Sequence, residues 1–135
     1  MGLGNLAVAR RLLRWAIAIK EKALAPDHPS LATTYSNLAV VEQRLGNLAE
    51  ARGVLRRAIA VDEKAFEPDH PSLATNYNNL GYIEAELGNL AEARQLMRRA
   101  YGIRHARLGG QHPHTESVRR WLAQNDPGFT REDSE

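Results

Sequence analysis

A 42-residue period governs what this chain can fold into. Gly4-Asn5-Leu6-Ala7 returns as Gly46-Asn47-Leu48-Ala49 and again as Gly88-Asn89-Leu90-Ala91. Pro26-Asp27-His28-Pro29 returns as Pro68-Asp69-His70-Pro71, and in altered form as Gly110-Gln111-His112-Pro113. Residues 4–45 and 46–87 share 27 identities in 42 positions, while the third copy keeps Gly88 to Arg94 and then drifts. A repeat this short cannot bury its apolar face alone, so each copy must pack on its neighbours.

Within each period the pattern predicts two helices. The first opens at a proline, whose fixed φ and missing N–H suit the first helical turn. It ends at Gly-Asn, where glycine supplies the left-handed C-cap. The second starts at the following Leu. In the middle copy its apolar residues Leu48, Ala51, Val54, Leu55, Ala58, Ile59 and Val61 recur at intervals of 3 and 4, a helical stripe rather than strand alternation. The expected helices are 5–24, 29–45, 48–66, 71–87, 90–108 and 113–124, in a domain 1–125 with a flexible polar tail 126–135. Small residues hold fixed places in the period (Ala39, Ala51 and Ala58, then Gly81, Ala93 and Ala100), where helices must approach closely. The expected fold is all-α: a right-handed helical-hairpin solenoid of two full repeats flanked by half repeats, with one concave and one convex face.

Composition removes several function classes. The 135 residues hold no Cys, which excludes disulfides, thiolate metal sites and thiol catalysis and fits a cytoplasmic setting. A net charge of +2 from 18 basic and 16 acidic residues is too balanced to require nucleic acid. No apolar run approaches the ~20 residues that span a bilayer, so no membrane role is expected. The first twenty residues carry Arg10, Arg11, Arg14 and Lys20 without an acid, as presequences do, and Met1-Gly2 invites a myristoylation reading. Both weaken because the same segment recurs later in the chain.

The positions Gly46, Leu48, Ala51, Leu55 and Ala58, with Leu38-Ala39 on the preceding helix, resemble the tetratricopeptide repeat. Its usual period is 34; the 42-residue period with the Pro-Asp-His-Pro linker resembles the kinesin light chain type. The resemblance covers residues 4 to about 124 and implies a non-catalytic scaffold that binds a peptide segment of a partner protein in a concave groove. Carried over position by position, it places Thr33, Ser36, Asn37 and Val40 in that groove, then Thr75, Asn78, Asn79 and Tyr82, then Ser117, Arg120, Trp121 and Gln124. Asn37 and Asn79 match amides that bond a peptide backbone, for which an amide has the right chemistry; the structural alternative is that they tie neighbouring helices together. Ser36 and Asn78 stand where a carboxylate clamp needs Lys, and only Arg120 offers a groove cation, so no such clamp is expected. Arg44 and Glu86 occupy equivalent places with opposite sign and would give a ligand its register.

Arg10 and Arg14, Arg52 and Arg56, and Arg94 and Arg98 form an i, i+4 ladder, with Arg57 and Arg99 beside it. It reads either as a basic face for RNA or an acidic partner, or as a solvated face partnered by Glu50, Glu63 and Glu92. No aromatics interleave with it as base stacking requires, which argues against nucleic acid. Glu42 and Glu84 are expected to pair with an Arg of the next helix. His28, His70 and His112 lie one per repeat, too far apart to share a metal ion, and Asp27-His28 and Asp69-His70 come with no nucleophile. No nucleotide fingerprint is present. The expectation is therefore no enzyme, no cofactor and no metal. The first helix lacks a partner for Leu6, Ala9, Leu12, Leu13, Ala16 and Ile17, so the chain reads as a piece of a longer array, or as a module that self-associates through that helix.

Overall fold

The structure, a computed structural model, describes residues 2–130, except for the side chain of Leu3. Two compact units, Met1–Glu67 and Pro68–Glu135, divide the chain. The first holds α1 (Leu3–Ala23), α2 (Pro29–Arg44) and α3 (Leu48–Ala65). The second holds α4 (Pro71–Glu86), α5 (Leu90–Leu108) and α6 (Pro113–Asn125). Among the described residues there is no strand, and each unit is built of helical hairpins. In each, the middle helix packs against both others.

The helix boundaries follow from the repeat's punctuation. Pro29, Pro71 and Pro113 each take the first helical position. The histidine before each proline is the N-cap: His28, His70 and His112 accept, at Nδ1, the backbone N–H of Ser30, Ser72 and His114, all at 3.1 Å. An imidazole thus does the work usually done by Ser, Asp or Asn. The histidines that looked like linker residues are the start signals of three helices.

The stop signals are Schellman motifs. Leu45 caps α2, Gly46 turns at φ 84°, and Asn47 N–H donates back to Glu42 O at 2.8 Å while Gly46 N–H donates to Gln43 O at 3.0 Å. Leu87, Gly88 and Asn89 repeat this at the end of α4, with Gly88 at φ 89°. Only glycine adopts that φ without strain. Gly4, the first copy of the motif, lies inside α1 instead, with ordinary helical φ.

All six small residues expected at close approaches are buried: Ala39, Ala51 and Ala58 in the first unit, Gly81, Ala93 and Ala100 in the second. Gly81 shows why. A Cβ there would meet Met97 Cγ at 3.0 Å, so the second unit has traded the Ala39 and Leu55 of the first for a glycine and a longer thioether. The second unit's core also draws in the C-terminus. Met97, Tyr101, Val118 and Leu122 form a buried cluster against which Tyr82, Trp121 and Phe129 pack. Phe129 meets Tyr101 edge-to-face at 5.4 Å.

That packing corrects the expectation of a loose tail from residue 126. Asp126 is buried and is the C-cap of α6. Its side chain accepts the Gly128 N–H at 3.0 Å, and its backbone carbonyl accepts the Phe129 N–H at 3.0 Å. Residues 131–135 of that tail lie outside the described residues.

Candidate functional site

Every residue assigned to the groove lies on α2, α4 or α6, and none is buried. Helical spacing places them on the side away from the core residues Leu31, Leu38, Leu73 and Leu80. On α2, Thr33, Asn37 and Arg44 are exposed and Ser36 and Val40 half-buried. On α4, Thr75 is exposed, while Asn78, Asn79 and Tyr82 are half-buried. On α6, Ser117, Arg120 and Gln124 are exposed and Trp121 half-buried.

These side chains differ in how much bonding capacity remains. Thr33 and Thr75 donate their hydroxyls to the carbonyls of Pro29 and Pro71, one turn back in their own helices, at 3.3 and 3.4 Å. Arg120 pairs with Glu116 at 3.3 Å. Its charge is therefore partly matched already. Tyr82 and Trp121 bring aromatic surface of the second unit's core out to the face. Asn37 and Asn79 make no side-chain hydrogen bond among the described residues. The side-chain oxygen of Asn78 is shielded from water and has no hydrogen-bond partner among the described residues, an uncommon state for a buried polar atom.

The arginine ladder is not a free basic face. Glu42, with no exposed side-chain surface, forms an ion pair with Arg10 Nε at 2.7 Å and lies 3.8 Å from Arg14. The Asn47 amide of the turn donates to its other oxygen at 3.5 Å. The partner arginines stand on the preceding helix, not the next one as the sequence suggested, because α1 packs directly against α2. Position 126 is the same place in the third copy, 42 residues beyond Glu84. There Asp126 pairs with Arg98 at 2.5 Å, and Arg94 Nε donates to the Asn125 carbonyl at 2.7 Å. The Arg98 guanidinium beside Asp126 holds its carboxyl below the usual range. Arg10 and Arg14 in the first unit, and Arg94 and Arg98 in the second, therefore bind the following helix of their own unit.

Arg57 and Arg99 have a different task. Arg57 lies over the Tyr35 ring, 4.4 Å from its centre, and donates to the Tyr35 hydroxyl at 2.8 Å. Tyr35 in turn donates to Glu21 at 3.0 Å. Burial, with the Glu21 hydrogen bond second, raises the Tyr35 pKa. Arg99 covers Tyr77 in the same way, at 4.1 and 2.7 Å.

Two features went unseen in the sequence. One is the exposed apolar line of α1, which is not the expected set. Leu6 is buried, and Ala9, Leu13, Ala16 and Ile17 are half-buried, because α2 covers that side. The open residues are Val8, Leu12, Trp15 and Ile19, at 44–65% exposure. The other is a pair of cavities. In the first unit, one of 420 Å³ is lined by Glu21, Leu31, Tyr35 and Arg57 among others. In the second, one of 440 Å³ lies between the start of α4, the end of α5 and the start of α6. Arg104 and Arg107 of α5 line it together with Thr75, one of the residues assigned to the groove.

No group of three or more His, Asp or Glu side chains could hold a metal ion among the described residues. His112 and His114 stack with ring centres 5.1 Å apart, and Nδ1 of His112 is already engaged as a cap. No described helix is long and apolar enough to cross a membrane.

The tetratricopeptide repeat family model matches residues 1–64 and 30–106, together more than three quarters of the chain. The chain is a tetratricopeptide repeat protein. Among solved structures, this TPR chain is similar to a kinesin light chain-type protein of Podosopora anserina with nearly identical TPR-like repeats. The match has 28% identity and a TM-score of 0.84, covering 90% of this chain and 58% of that one. A second structure of that protein, carrying a point substitution, matches at 27% with the same TM-score, over 90% and 57%. BtubC (BKLC) from P. vanneervenii shares the fold at 23% identity and TM-score 0.81, covering 97% of this chain and 52% of its own. The TPR chain thus spans a little over half the length of each. No curated protein matches it. The TPR is a non-catalytic module for binding partner proteins and peptides, and the repeats of this chain closely resemble those of the kinesin light chain type.

Proposed function

We propose that the outward face of α2 in the first unit, and those of α4 and α6 in the second, each receive an extended or helical segment of a partner protein, without chemistry. The observation that carries this reading is the unspent amides: Asn37 and Asn79 are 42 residues apart, at the same repeat position, and neither bonds within the described residues. Were they structural ties, each would have a helix partner. An amide offers donor and acceptor together, the requirement for gripping a peptide main chain. Tyr82 and Trp121 add aromatic contact area at low entropic cost. The partner is a protein or peptide rather than nucleic acid, since Arg10, Arg14, Arg57, Arg94, Arg98 and Arg99 are already engaged within their own units.

The test is a peptide selected from a random library on the wild-type protein. Its affinity is then measured for the double variant Asn37→Ala, Asn79→Ala. Binding should weaken by about tenfold, the worth of one or two lost hydrogen bonds, with helicity unchanged. A loss of helicity would make the amides structural and end the proposal.

A second reading is self-association through α1. Leu12 and Ile19 correspond to Val54 and Val61, which are buried against α2. Val8 and Trp15, however, stand where α3 has the charged Glu50 and Arg57. The face has been made wholly apolar, at a spacing of 4, 3 and 4 that suits packing against a second copy of the same helix. Molar mass by light scattering over a concentration series decides it. A dimer that Trp15→Lys returns to 15.0 kDa supports the reading, and a constant monomer removes it.

A further inference from the structure

The joint between a second helix and the next first helix occurs in both units, as α1–α2 and as α5–α6. In the first unit Lys20 reaches across it, donating to the Thr34 hydroxyl at 2.8 Å and the Ser30 carbonyl at 3.5 Å. Two periods later the same three places hold Arg104, Val118 and His114. Arg104 keeps the carbonyl contact, donating to His114 O at 3.4 Å. The hydroxyl is gone, because Val118 is a fully buried core residue. A half-buried guanidinium is left with one long hydrogen bond, and no carboxylate is in ion-pair contact with it among the described residues. Burial lowers its pKa, the mark of a cation stripped of water without compensation.

Arg104 opens onto the 440 Å³ cavity of the second unit. Three residues on along α5, Arg107 also lines the cavity and is fixed by Asp69, which takes its Nε at 3.2 Å and Nη2 at 3.0 Å. Asp69 is thereby held below the usual carboxylate range, with Arg107 as the first cause. That pair is neutral as a whole, yet it leaves the second terminal nitrogen of Arg107 free to donate. Pro71, Ala74, Ile103 and Leu108 supply an apolar wall. The cavity of the first unit contrasts with it: Arg57 there is already taken by Glu21 and Tyr35.

We propose that this cavity is a binding site for a carboxylate carried on a compact apolar body, with Arg104 as the charge partner. One uncompensated cation calls for one negative charge, and a planar carboxylate accepts two parallel N–H bonds from a guanidinium. The apolar wall takes the rest of the ligand. The site shares Thr75 with the proposed peptide face, but neither Asn37 nor Asn79 lines it. The carboxylate comes either from a free organic acid or from the last residue of a peptide chain.

Benzoate is the probe for the free acid, N-acetylphenylalanine for a chain end, and benzyl alcohol for the same ring without charge. Backbone amide shifts in a nitrogen-15 NMR titration report where each binds. Benzoate should move the amides around Thr75, Ile103 and His114. Arg104→Gln should weaken it about tenfold or more, the value of a charged hydrogen-bond pair, with an unchanged melting curve. Arg11→Gln, an exposed change in the other unit, should leave it intact. Binding of N-acetylphenylalanine tighter than benzoate identifies a chain end as the source; equal or weaker binding identifies a free acid. The proposal is overturned by absent shifts at those amides, by benzyl alcohol binding as well as benzoate, or by Arg104→Gln binding as well as wild type. Loss of binding by Asn37→Ala, Asn79→Ala alone would bear on the peptide face and not on this cavity.

Discussion

The α1–α2 joint of the first unit and the α5–α6 joint of the second are built from equivalent positions, and they kept different things. Both retain an arginine pair on one helix that grips the far end of the next, through its acid and, at α6, the neighbouring Asn125 carbonyl as well. Glu42 is wholly buried and backed by the turn amide Asn47, whereas Asp126 is shorter and sits at the cap itself. Chain geometry accounts for the exchange. α6 stops at Asn125, so the acid that lies inside α2 becomes, at α6, the residue that ends the helix. The second contact across the joint did not survive: Lys20 with Thr34 became Arg104 beside Val118. An ion pair tolerates a change of side-chain length, but a hydroxyl replaced by a methyl leaves its donor unmatched.

The strongest way to break this comparison is to remove each acid. Glu42→Ala removes a fully buried carboxylate from Arg10 and Arg14, whose own side chains reach water, and should cost about 1–3 kcal/mol. Asp126→Ala should cost less, since its carboxylate keeps 8% exposure and pairs with one arginine side chain, where Glu42 keeps none and faces two. Urea unfolding of the two variants checks the order, and equal losses would mean that burial does not set it.

Smaller effects are expected at the start signals. His28→Ala and His112→Ala should each lose about 1 kcal/mol, the usual worth of an N-cap, whereas His→Asp at either place should restore it. Thermal denaturation separates these. If Ala and Asp behave alike, the imidazole contact carries no stability in that unit, and the two joints differ more than their shared geometry implies.

The smallest effect concerns acid. Asp126 has a folded pKa below its unfolded value, so its stabilisation is fully present above the unfolded carboxylate pKa of about 3.9. It is lost as pH falls through the lowered folded pKa. The part of the unfolding free energy that Asp126 contributes, read as the difference between wild type and Asp126→Asn from pH 6 downward, should therefore decline only below about pH 4. Asp126→Asn should flatten the part due to this residue.

Much of this was legible in the residues. The period, the prolines and Gly-Asn gave six helices whose ends fall within two residues of those expected, because start and stop signals are local chemistry. The outward set on α2, α4 and α6 was legible for the same reason, since helical spacing decides which side a residue takes. What pairs across helices was not. Glu42 finds Arg10 and Arg14 on the helix before it, a choice made by packing and invisible in spacing. Asp126 was hidden because the third copy no longer resembles the others there, and Phe129 because one aromatic in a polar tail carries no periodicity. The Arg104 cavity required knowing that Val118 had displaced a hydroxyl inside the joint.

The three histidine caps fix something beyond helix ends. To accept a backbone N–H at Nδ1, each ring must be neutral and carry its proton on Nε2, an assignment that follows from the hydrogen bonds rather than from seeing the proton. His28, His70 and His112 thus share one tautomer. Nitrogen-15 spectra of the imidazoles would show that tautomer as three matching patterns, one for each repeat, and so report on every helix start separately.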